Sequence, residues 1–161
     1  MKKYFVNMVV GLAAVVMVLT FADVSNAQRR RESRGKLLTK AEVKAIINRV
    51  EDRVDNFVGN YDKSLDRSRL NGTSREDWLN KRAKDLEKAT DELSREFGRR
   101  DAWIENKDEV RRCLNIATNI DKNVRNYRFG PATEKNWANV RYELNTLADV
   151  YNLPKVGSNV Y

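Results

Sequence analysis

The side chains that do chemistry in proteins are distributed in this sequence in a way that closes most catalytic routes. Histidine does not occur. Its absence removes the commonest general base, the commonest metal ligand and the familiar triads. The one cysteine, Cys113, has no imidazole to activate it, so thiol-protease chemistry and C-x-x-C-H haem attachment fail. A di-iron carboxylate bundle needs Glu-x-x-His on its helices, which cannot occur here. The glycines are scattered and build no phosphate-cradling loop. Carboxylates are plentiful, as in Glu87, Asp91, Glu92 and Glu96. They alternate with Lys84, Lys88 and Arg95 at three- and four-residue spacing, the pattern of a solvated helix face with i,i+4 pairs. The sequence therefore assigns no catalytic, cofactor-binding or metal-binding residue. A carboxylate-dependent hydrolase or lyase remains the remote enzymatic alternative.

The remaining chemistry is cationic. The chain carries a formal net charge of +8, and Gln28–Lys36 alone holds Arg29, Arg30, Arg31, Arg34 and Lys36 against one acid, Glu32. This stretch has no apolar residue to build a core, so it reads as a disordered basic tail over residues 28–38. It is a candidate for contact with an anionic surface, set against the alternative of a solvated linker. No aromatics interleave with the arginines to stack on bases, which argues against nucleic acid.

What precedes the tail gives its setting. Lys2 and Lys3 form a short basic start, Met8–Ala22 is apolar, and Ser25-Asn26-Ala27 supplies the small residues of a cleavage site. This is the layout of a secretory signal peptide over residues 1–27. Fifteen apolar residues at ~1.5 Å rise reach roughly 22 Å, short of the ~30 Å hydrocarbon core, which favours cleavage over a membrane anchor. The arginines directly behind the segment oppose export, because positive charge tends to stay cytoplasmic. The expectation is a periplasmic or secreted protein without a transmembrane helix once processed.

The elements that must position any site are helical. Val43, Ile46, Ile47, Val50, Val54, Phe57, Val58, Tyr61 and Leu65 recur at helical spacing and predict a first helix from Lys40 to Arg69. Thr39 with Glu42 is a capping box at its start. After the Asn71-Gly72 turn, Ser74 is the expected N-cap of a second helix that runs to Gly98. A third helix, starting after Asp101 or Asn106, carries Cys113 among Val110, Leu114 and Ala117, the setting of a buried thiol. Gly130-Pro131 should stop it. Thr133 should cap a fourth helix that ends before Pro154. Short connections make successive helices antiparallel, so the fold expected is an all-α, up-down-up-down four-helix bundle over residues 39–154. Residues 155–161 form a C-terminal tail.

The chain also resembles itself. At an offset of 59, ten of 37 positions from Arg53 to Ala89 are identical, against roughly two or three expected from ordinary composition. The reading is a duplicated αα-hairpin, residues 39–97 and 98–154. Trp78 and Trp137 are matched repeat-core residues. Folding each hairpin about its turn puts Asp62 opposite Arg82 and Asp121 opposite Arg141, two expected cross-helix ion pairs. Asn56 and Asn60, and Asn115, Asn119 and Asn123, recur every four residues. They read as a solvated polar surface ahead of a glycan- or partner-contacting face. Together these features predict an exported, non-enzymatic helical-bundle protein that serves as a binding or structural component of the cell envelope. Its partner would be an anionic envelope surface or another protein. The main alternative is a surface-associating module that works through the Arg-rich tail.

Overall fold

The computed structural model describes residues 38–158; the expected signal peptide and the expected basic tail up to residue 37, Arg29 to Lys36 included, lie outside the described residues, while Leu38, the last residue of that tail, packs against the core. Four helices follow in order: α1 (Lys40–Asp66), α2 (Ser74–Arg99), α3 (Lys107–Tyr127) and α4 (Pro131–Val150), with a 3-10 turn at Trp103–Asn106 before α3. Each helix packs chiefly on two others: α1 on α2 and α4, and α3 on the same two. Diagonal pairs are not among the main contacts, so the four form an up-down-up-down bundle. Contact between α1 and α4 is nearly as extensive as that within the first hairpin, and α3 with α4 is the slightest of the four pairs.

The helix ends follow from local hydrogen bonding, and several differ from the pattern reading. The Thr39–Glu42 capping box is present in both directions, with the Thr39 N–H donating to Glu42 Oε2 at 2.8 Å and the Glu42 N–H to Thr39 Oγ1 at 3.2 Å. Helix α1 stops at Asp66 rather than Arg69. The Ser68 hydroxyl accepts the Leu70 N–H at 3.0 Å, offering the backbone a turn in place of another helical bond. The cap of α2 is Thr73, not Ser74: its Oγ1 accepts the Glu76 N–H at 3.3 Å. The Glu76 carboxylate in turn accepts the Gly72 N–H at 2.6 Å. Gly72, with φ +75°, makes the reversal that aligns both groups.

Thr133 is likewise not a cap. Pro131 opens α4 at its first position, where a missing N–H costs nothing. Thr133 then lies inside the helix, buried, with its hydroxyl 2.7 Å from that of Ser64 on α1. Asp101 starts no helix, and Asn106 precedes α3 without a side-chain capping bond.

The core is one cluster drawing on all four helices. Phe57 stacks on Tyr61 (ring centroids 4.9 Å apart) and meets Trp137 at 5.0 Å, while Tyr61 meets Phe129 edge-on at 5.0 Å. Cys113 is fully buried, and burial pushes its thiol up to about 12. The C-terminal segment is part of this fold. Beyond α4, Leu153 N–H donates to Ala148 O at 2.9 Å, Val156 is buried, and its N–H donates to Asn145 Oδ1 at 2.8 Å. The globular part thus extends past Pro154, and the expected tail is seated at least to Gly157.

Candidate functional site

The two expected ion pairs have different outcomes. On the α3–α4 side, Arg141 lies 3.2 Å from Asp121 Oδ1, and the same oxygen accepts the Trp137 indole N–H at 2.8 Å. Arg125, one turn on from Asp121, lies 2.5 Å from the other oxygen. Asp121 is buried, so three donors replace the water it has lost. On the α1–α2 side no such pair forms. Asp62 accepts the Asn80 side-chain amide, and Arg82 turns to Asp85 at 3.4 Å while lying over the Trp78 ring.

A one-residue shift explains the difference. The first helices of the two hairpins correspond at the offset of 59, with Val54/Cys113, Val58/Ala117, Tyr61/Ile120 and Leu65/Val124 all buried. In the second helices burial follows an offset of 58: Leu79, Leu86, Ala89, Thr90 and Leu93 occupy the places of Trp137, Leu144, Leu147, Ala148 and Tyr151. One residue on a helix is a rotation of about 100°. Trp137 is therefore core, whereas Trp78 is half-buried beneath Arg75 and Arg82. The two tryptophans match in sequence but not in place.

The asparagine series is absorbed by its own helices. Asn56, Asn60, Asn119 and Asn123 each donate a side-chain amide to the carbonyl four residues earlier, at 2.7–3.1 Å. Ser64 repeats this bond at 2.9 Å in the place that Asn123 holds in the second hairpin. Asn123 is buried and also accepts from Arg75 at 2.7 Å. The series is a structural ladder along α1 and α3, with its last members tying α1 to α4 and α3 to α2.

A cleft with distinct chemical character lies where the two hairpin turns meet. It has a volume of about 870 Å³ and runs between the segment after α1 and the segment joining α3 to α4. Arg67, Arg69 and Arg128 line it together with Asn126, Tyr127 and Phe129, and no carboxylate residue does. Among the described residues, no hydrogen bond or ion pair engages the side chains of the three arginines or of Asn126. Asp66, Glu76 and Glu134 are near in sequence but do not line the cleft, although Arg128 also borders the neighbouring cleft that Glu134 and Asp121 line. Arg128 has a left-handed backbone, φ +46° and ψ +71°, where a non-glycine residue is strained.

Arginines 69 and 128 are one of the identical pairs at offset 59. The repeat thus held the signal for this cleft, but only folding shows that the two copies converge. Of the other clefts, those along α2–α3 and beside Asp121 mix both signs of charge, and the one between α3 and the C-terminal segment is lined by Arg111 and Lys155, each already paired with an aspartate, Asp108 and Asp149. Among the described residues, no group of three or more acids and cysteine is arranged to hold a metal ion, and no helix is long and apolar enough to cross a membrane. The chain matches no family model, no curated protein and no solved structure.

Proposed function

We propose that this chain is an exported, non-enzymatic binding or structural component of the cell envelope. The observation that carries the reading is the cleft at the hairpin turns. Its cationic side chains are left without partners in the fold, in a position that serves association better than folding. Exposed arginines facing water gain little for stability, whereas a concave, one-signed surface concentrates anions near it. The export pattern of Met1–Ala27 would bring such a surface among the anionic polymers and lipids of an envelope. The basic run Arg29–Lys36 would add a second cationic contact.

Fractionation of cells that make the full chain tests this reading. The expected result is a chain in the envelope fraction whose N-terminus is Gln28. It should be released by high salt, because electrostatic association is screened. A chain found in the cytosol with Met1 intact would overturn it.

A further inference from the structure

The cleft has more character than charge alone. Its cations are arginines, whose planar forks hold carboxylates or phosphates through two parallel bonds. Tyr127 is 41 % exposed, its ring lies 6.0 Å from that of Phe129, and Arg75 lies over it at 5.7 Å from the centroid. An aromatic surface therefore stands beside the guanidinium groups. Asn126 brings an amide with free donor and acceptor capacity. The cavity volume lies within the ~300–1,000 Å³ typical of small-ligand sites. A flat lipid surface would be met by projecting apolar residues, not by a recess. What fits a recess with forked cations, an amide and an aromatic face is a chain of polar rings carrying acid groups.

From this we infer that the cleft between the hairpin turns is a binding site for an acidic oligosaccharide. Arg67, Arg69 and Arg128 would pair with its acid groups, and Tyr127 would lie against a sugar ring. The inference deepens the envelope reading and rests on it. In the cytoplasm the same arginines would meet nucleic acid first. The backbone at Arg128 supports a role for its side chain. Glycine is the residue favoured at a left-handed helix C-terminus, so an arginine there is held at a cost to the fold.

The test is titration calorimetry of the protein as isolated from cells, at physiological ionic strength, with oligogalacturonate as the probe. Neutral maltodextrin, phosphatidylglycerol vesicles and oligothymidylate serve as comparison ligands. A variant with Arg67→Ala, Arg69→Ala and Arg128→Gly removes the cleft cations and keeps the Arg29–Lys36 tail. A second variant, with Arg53→Ala, Arg95→Ala and Arg99→Ala, removes equal charge elsewhere. The first should bind oligogalacturonate at least about tenfold more weakly, as expected for loss of charge-assisted bonds, and the second should match the unaltered protein. Folding is safeguarded, since Arg67 and Arg69 are exposed and glycine relieves the backbone at position 128.

Equal weakening in both variants would reduce the cleft to non-specific charge. Unchanged binding in the cleft variant would assign the affinity to the tail. Preference for vesicles or oligothymidylate, or no binding of oligogalacturonate, would also overturn the inference. None of these outcomes bears on where the N-terminus is cut or on the fraction that holds the protein, so the envelope reading is judged separately.

Discussion

Asp121 and Asp62 occupy matched repeat positions and meet different fates, which makes them a measure of what burial does to one carboxylate. Asp121 is sealed, with Trp137, Arg141 and Arg125 as donors. Replacing it by alanine leaves a buried indole N–H with no acceptor and two guanidinium groups without their shared anion. The expected loss is about 2–4 kcal/mol, the range for stranding a buried polar group and breaking a buried pair. Asp62 is half-buried and holds only the Asn80 amide. Asp62→Ala should cost less than about 1 kcal/mol, in keeping with partly exposed polar contacts. Urea midpoints of the two variants decide this, and equal losses would refute the assignment of Asp121 as the buried anchor. Gly157 belongs to the same group. With φ +77°, an added Cβ there would sit 2.5 Å from Arg125 and 2.8 Å from Asp121, so the end of the chain closes over the pair.

At the level of the helices, the register of α2 against α4 separates what the sequence discloses from what it conceals. Apolar spacing and the Thr39–Glu42 box locate α1, and the core residues foreseen for it are buried. The ends are less legible. Thr73 and Ser74 are equally plausible caps by residue type, and the choice falls to Thr73 because Glu76 reaches back to Gly72. Identity aligns Trp78 with Trp137, yet one residue fewer in the second hairpin turns α4 by about a third of a circle relative to α2. Loop length is invisible to an ungapped comparison, so the pairing of Asp62 with Arg82 was set by a register that the fold does not adopt. The cleft was missed for a related reason. Its arginines stand in turns, where periodicity carries no information, and convergence of two turns is a tertiary event. Substitution reads the register directly. Leu79 is buried, and Leu79→Ala should cost about 2–4 kcal/mol for a lost core side chain and its cavity. Half-buried Trp78 should cost less on truncation despite its larger size. A greater loss for Trp78→Ala in chemical denaturation would restore the offset of 59.

For the molecule as a whole, the packing order implies that the two hairpins do not unfold independently. Helix α1 leans on α4 nearly as much as on α2, and the aromatic chain Trp137–Phe57–Tyr61–Phe129 passes from one hairpin to the other and back. No disulfide is available to hold either half alone, because Cys113 is the single cysteine. That thiol is also the natural reporter of the whole. It is fully buried, and desolvation is the main reason its pKa rises from 9.0 to about 12. A neutral, enclosed thiol does not react with alkylating agents, since the thiolate is the nucleophile. Labelling of Cys113 in native protein should therefore be governed by global opening, with a urea dependence equal to that of helix loss measured by circular dichroism. The same shift sets a pH dependence. Well below pH 9 both states hold the proton and Cys113 leaves stability unchanged. Between 9 and about 12 the unfolded thiol ionises while the folded one does not, so stability falls as pH rises. Buried Tyr61 and Tyr151, each raised above its ordinary 10.0 by burial, add to the fall at the upper end. Cys113→Ala should flatten the first part of this alkaline decline and leave the tyrosine part in place. Rapid labelling of native Cys113 at neutral pH would show that the bundle opens locally around the thiol and is not a single cooperative unit, and a decline that begins at the same pH in the alanine variant would show that the buried thiol does not set it.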